Sequence, residues 1–160
     1  MLFYSNVDEI TMPGDSLAVS IELAGNSDVL GQYSERLNIP RAIEQSVDSL
    51  IDCLEDLSWL KESTIVIIHD LVRSVEASNL TTYLKLVVEV ERNWLSYNRK
   101  YFEEKDEIYN QYRTMLPWLS EDDIRNNIKP RDVLFYFREE DKCLIEAIIG
   151  QSVVVDANRQ

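Results

Sequence analysis

Residues 63–71, Ser-Thr-Ile-Val-Ile-Ile-His-Asp-Leu, are a nearly unbroken β-branched run. A strand with one wet face alternates apolar and polar residues. One that is apolar throughout reads as a strand buried on both faces, the habit of parallel sheets. Parallel neighbours cannot be joined by a tight hairpin; they need crossovers of a dozen or more residues, usually helical. The flanking chain has that form. In 16–23, Leu17, Val19, Ile21 and Leu23 alternate with smaller or polar residues, a half-buried strand, and 133–137, Val-Leu-Phe-Tyr-Phe, is another strand. Helical patterns separate them. Ser27 is the expected N-cap of a short helix with Asp28 in its first turn, closed by Asn38-Ile39-Pro40. Residues 40–59 form a second helix and 79–94 a third. A helical insert over about 97–130 holds one helix ended near Pro117 and a shorter one begun at Ser120 and stopped by Pro130. Residues 1–6 are at most a short edge strand. Residues 143–149 read equally well as a hairpin partner of 133–137 or as a helix. The expected architecture is α/β: one domain over 1–160, with a small, mostly parallel three-stranded sheet packed with helices and the insert before the last strand.

The helix at 40–59 carries two stripes. Ile43, Val47, Leu50, Leu54 and Leu57 share an apolar face. Glu44, Asp48, Asp52 and Glu55 share another, roughly 130° round the helix at 100° per residue, and Ile51 sits on the shoulder between them. Carboxylates one turn apart repel by a few tenths of a kcal/mol per pair, and no Lys or Arg relieves this row. A face that serves only solubility usually mixes signs.

The stripe lies in the most acidic part of the chain. The formal net charge is −13; residues 1–62 contribute −9 from 12 acids and three bases, and the other 98 contribute −4. An acidic pole disfavours nucleic acid and anionic membrane as ligands and favours a basic protein partner. No apolar run approaches the ~18 residues of a membrane span. The acidic N-terminal stretch lacks the basic start of a signal peptide, so a cytoplasmic location is expected.

Catalytic chemistry is sparse. His69 stands alone beside Asp70 at a strand end and reads as a hydrogen-bonded structural residue. Cys53 and Cys143 are far apart, Cys53 reading as a small buried thiol. No metal set, phosphate loop or nucleophile elbow is present, so neither enzyme nor cofactor is expected. The aromatic residues of the insert read mainly as packing, with a ligand pocket as the weaker option.

One resemblance bears on these features. Leu37-Asn38-Ile39-Pro40 closes the short capped helix, and a second helix follows at once, reading Val47-Asp48-x-Leu50-x-Asp52-x-Leu54. An apolar strand, 64–68, and a further helix come next. This order resembles the barstar-like proteins, intracellular inhibitors of barnase-type ribonucleases. The resemblance implies a small parallel sheet with helices against it. It also implies that the second-helix acids enter a nuclease active site and meet its Arg and Lys side chains. Asp48 and Asp52 fall on the two motif aspartates, and Glu89 on the next helix matches a contact acid more loosely. The chain departs from the pattern where the family carries aromatics and a glycine before the helix: here Ala42, Ile43 and Glu44 stand, and Ile51 replaces an aromatic between the aspartates. The implied function is a non-catalytic immunity or antitoxin-type inhibitor of a ribonuclease or other nuclease toxin, with Glu44, Asp48, Ile51, Asp52, Glu55 and Glu89 as partner-binding residues; the sequence does not fix the oligomeric state, with a monomer favoured. The alternative is an interaction or regulatory module that kept the fold without inhibiting.

Overall fold

In a computed structural model, residues 1–23, 28–39, 46–70, 72 and 75–157 are described, with side chains to residue 150. The strands are β1 (Leu2–Tyr4), β2 (Ser16–Glu22), β3 (Thr64–Asp70) and β4 (Asp132–Arg138). The helices are α1 (Val29–Arg36), α2 (Val47–Asp56), α3 (Ala77–Met115), α4 (Glu121–Asn127) and α5 (Lys142–Ala157). The sheet runs β1-β4-β3-β2 and every pairing is parallel. It therefore has four strands, not three. The fourth is the N-terminal segment, whose Leu2, Phe3 and Tyr4 register with Tyr136, Phe137 and Arg138. Three residues are too few to show a period. Residues 143–149 are helical: Ile145 is buried and Ile148 and Ile149 pack on the core, the i, i+3, i+4 spacing of a helix face.

As its β-branched run requires, β3 is buried from Thr64 to His69. Its two faces are covered differently. Ile65 and Ile67 join Val19, Ile21, Phe135 and Phe137 beneath the helices, against Tyr33, Leu50, Leu54, Leu84, Val87 and Ile145. Val66 and Ile68 face a smaller cluster with Tyr4 and Ile10, flanked by Leu134 and Tyr136. The N-terminal segment, rather than a second helical layer, covers that side.

A line of polar groups crosses the main core. His69, fully buried, stacks on Phe137 at 4.2 Å between ring centroids. Its Nδ1 lies 2.9 Å from the Tyr136 carbonyl and its Nε2 lies 2.6 Å from the Tyr83 hydroxyl, which is 2.5 Å from the Tyr33 hydroxyl. A carbonyl can only accept, so Nδ1 carries the proton. Nε2 then accepts from Tyr83, and Tyr83 accepts from Tyr33. Burial pushes the imidazole pKa down to about 3, so the ring is neutral. The chain ties α1 and α3 to the sheet.

Helix α3 is one element where the sequence pattern suggests two. Its sole interruption is Glu104, which leaves helical geometry at φ −127°, ψ 27°. After that bend Tyr112 returns to the side of Trp94 and Tyr97. On a straight helix, residues 97 and 112 would be about 22 Å apart. The insert is thus a helix kinked at Glu104, with α4 packed against it: the Arg125 guanidinium lies over the Tyr109 ring and Arg113 pairs with Glu121. Ser120 caps α4 as expected, accepting from the Asp123 amide at 3.1 Å. Fully buried Arg131 fastens this end, donating to the carbonyls of Leu60 (2.9 Å), Lys129 (3.2 Å) and Asn126 (3.3 Å). Among the described residues no helix is long and apolar enough to cross a membrane.

Candidate functional site: the exposed face of the acidic helix

The described part of the acidic helix begins at Val47. Ser46 caps it, its hydroxyl accepting from the Ser49 amide at 3.1 Å. The expected Glu44 and Ile43 lie outside the described residues. In the first helix, the cap is Asp28, which accepts from the Gly31 amide at 2.8 Å. Its carboxylate reaches back to the third helical amide, which places Asp28 before the helix rather than in its first turn. Leu50, Cys53 and Leu54 bury the inner face of α2, Cys53 as a free thiol. Val47, in the first turn, stays 37% exposed. Leu57 ends α2 in the left-handed region (φ 42°), its amide donating to the Cys53 carbonyl at 3.2 Å. A non-glycine residue in this conformation is strained, and the complete burial of its side chain holds it there.

With the inner face buried, Asp48, Asp52, Glu55 and Asp56 are exposed. Asp48 lies in the first turn, where the helix dipole favours a carboxylate, whereas Glu55 and Asp56 lie in the last, where it does not. Among the described residues no Lys or Arg side chain pairs with Asp48 or Asp52. Ile51 is half-buried against the core, at the border of the acidic face.

Helix α3 lies alongside. The Trp94 indole donates to the Leu54 carbonyl at 2.8 Å, and the Asn93 amide donates to Glu55 at 2.6 Å. Glu89, half-buried, is one turn before Asn93 on that side of α3. The structure therefore collects Asp48, Ile51, Asp52 and Glu55 on one helix, with Glu89 on its neighbour. The positions are held by two hydrogen bonds and a buried seam.

Other groups at this site escape sequence reasoning. Glu55, Asp56, Asn93, Trp94, Tyr97, Tyr112 and Asn127 line a cavity of about 240 Å³ beside the acidic face. The Tyr97 hydroxyl donates to the Ile128 carbonyl at 2.8 Å, and burial pushes its pKa up to about 12. No local signal marks Tyr112 or Asn127, because the kink at Glu104 that brings Tyr112 back has neither proline nor glycine.

A family model described as Barstar (barnase inhibitor) matches residues 20–108, more than half of the chain. The match takes in the end of β2, then α1, α2, β3 and α3 as far as the first residues beyond its bend. No match was found among curated proteins or among solved structures.

Proposed function

The chain belongs to the barstar family, and on that premise we propose that it is a stoichiometric inhibitor of the immunity or antitoxin kind. It blocks the basic active site of a ribonuclease, or of another nuclease toxin, with the outer face of α2. It performs no catalysis of its own. The supporting observation is the row of same-sign, exposed carboxylates on a rigidly seated helix, where Asp48 and Asp52 have no cation partner among the described residues. Such a row lowers helix stability slightly and is complementary to a site built to hold phosphates.

In this reading Asp48 and Asp52 enter the active site and meet its Arg and Lys side chains. Glu44 and Glu55 extend the charge along the helix, Ile51 packs at the rim, and Glu89 adds a contact from α3. An interface of about 800 Å² per partner is enough for a stable complex, within reach of α2 and one neighbour. Steering of this kind, for which the barnase–barstar pair is itself the reference case, lifts association from ~10⁵–10⁶ towards ~10⁸–10⁹ M⁻¹s⁻¹ at low salt. The protein acts as a monomer in the cytoplasm of a bacterial cell, as its toxin's counterpart.

The replacement of the family's aromatics by Ala42, Ile43 and Ile51 favours a second reading, a non-inhibitory interaction module. Co-purification from the source cell separates the two. Wild type is expected to retain a basic protein whose nuclease activity appears once it is stripped from the complex and disappears on adding the chain back. The Asp48→Ala/Asp52→Ala variant is expected to retain none. A partner held equally by both proteins, or one without nuclease activity, would favour the module.

A further inference from the structure

We propose that the insert and α2 together form a second contact, which shares Glu55 with the acidic face: a pocket that takes one arginine side chain of the basic protein partner. The partner's identity rests on the inhibitor reading; the pocket rests on its own geometry. It is the cavity of about 240 Å³ lined by Glu55, Asp56, Asn93, Trp94, Tyr97, Tyr112 and Asn127. It exists because α3 is kinked at Glu104, so that Tyr112 and Tyr97 line one cavity.

Its two walls differ in chemistry. The α3 wall is aromatic, and the polar ends of two of its rings are already used: the Trp94 indole N–H by Leu54 and the Tyr97 hydroxyl by Ile128. Both residues line the cavity. The α2 wall carries two carboxylates. Glu55 is oriented by the Asn93 amide through Oε1 at 2.6 Å, with its second oxygen remaining. Asp56 and Glu62 both interact electrostatically with buried Arg131. Glu55 therefore gives this wall a carboxylate whose hydrogen-bond partner is a neutral amide. A cation fits, and its shape is set by the rings. A planar guanidinium stacks on aromatic faces while donating in its plane to a carboxylate; an ammonium is a compact, strongly hydrated point charge without a stacking plane. The occupant is therefore arginine rather than lysine.

The test uses the free protein and no nuclease, so its failure leaves the acidic-face reading standing and the reverse also holds. Nα-acetyl-arginine amide is titrated into isotope-labelled protein, with Nα-acetyl-citrulline amide as the uncharged isostere and Nα-acetyl-lysine amide as the ammonium control. The expected result is a saturable shift of the Trp94 indole N–H and the Asn93 side-chain amide with the arginine compound in the millimolar range. Each control should bind about tenfold more weakly or worse, equivalent to ~1.4 kcal/mol. Glu55→Gln, a change at an exposed position, and Tyr112→Leu should each abolish the preference for arginine. Asp48→Ala/Asp52→Ala should preserve it. Equal titration by the citrulline compound, no saturable shift at either reporter, or an arginine preference that survives Glu55→Gln would overturn the proposal.

Discussion

Two polar regions of this molecule follow opposite rules. In the core, His69, Tyr83 and Tyr33 form a chain in which each donor has one acceptor, ending at the Tyr136 carbonyl. On the surface, α2 sets Asp48, Asp52 and Glu55 side by side with a like charge as neighbour. A buried polar group without its partner destabilises by about 1–3 kcal/mol, so the first region exists only because it is complete. Water solvates the second region, which can stay electrostatically incomplete at little penalty. The internal network is accounted for by folding alone, whereas Asp48 and Asp52 have no cation partner among the described residues, which is what the proposed partner would supply.

Three perturbations bear on that contrast, in descending size. Tyr83→Phe removes one hydroxyl but leaves both the His69 Nε2 and the Tyr33 hydroxyl unanswered in the core. It should lower stability by roughly 3 kcal/mol in urea unfolding. A loss below ~0.5 kcal/mol would mean that the chain is not a closed network. Acidification should give a smaller effect. The His69 pKa is lowered from 6.5 to about 3 by burial, so between those values the unfolded chain binds a proton that the folded chain refuses. Stability therefore falls as pH falls from about 6.5 towards about 3. The slope approaches ~1.4 kcal/mol per pH unit, or about 1 kcal/mol between pH 7 and 5.5. In His69→Gln the slope in this upper range should flatten, whatever its stability at neutral pH; an unchanged slope would assign it to other groups. Smallest of all, Asp52→Asn should leave stability unchanged or raise it by a few tenths of a kcal/mol, through relief of its i, i+4 repulsions with Asp48 and Asp56. A loss of ~1 kcal/mol or more would show that the acidic row contributes to folding.

Much of this arrangement was legible in the sequence, with failures that have physical causes. Period and burial are local properties, so β2, β3, β4 and the buried side of α2 at Leu50 and Leu54 follow from spacing. The exposure of Asp48, Asp52 and Glu55 follows with them, since a helix with one buried stripe presents the opposite one. The fourth strand was legible only as, at most, a short edge strand at 1–6: Leu2–Tyr4 is a strand because β4 lies beside it, not because its residues alternate. The nature of 143–149 was not legible, since apolar residues there fit either period until an all-parallel sheet excludes a hairpin. The kink at Glu104 left no trace in residue type, and it alone brings Tyr112 near Glu55. Of the proposed contact residues, Glu89 takes its place from the packing of α3 on α2, which spacing on one helix cannot specify.

The central claim is that the outer face of α2 serves a partner rather than the fold. The most direct test is stopped-flow association of the captured nuclease with wild type and with Asp48→Ala/Asp52→Ala across a salt series, alongside unfolding of both proteins. The account predicts wild-type association that slows steeply as salt rises. The double variant should unfold like wild type yet associate slowly with little salt dependence, its complex weakened by about three orders of magnitude. Equal association by two equally stable proteins would contradict it.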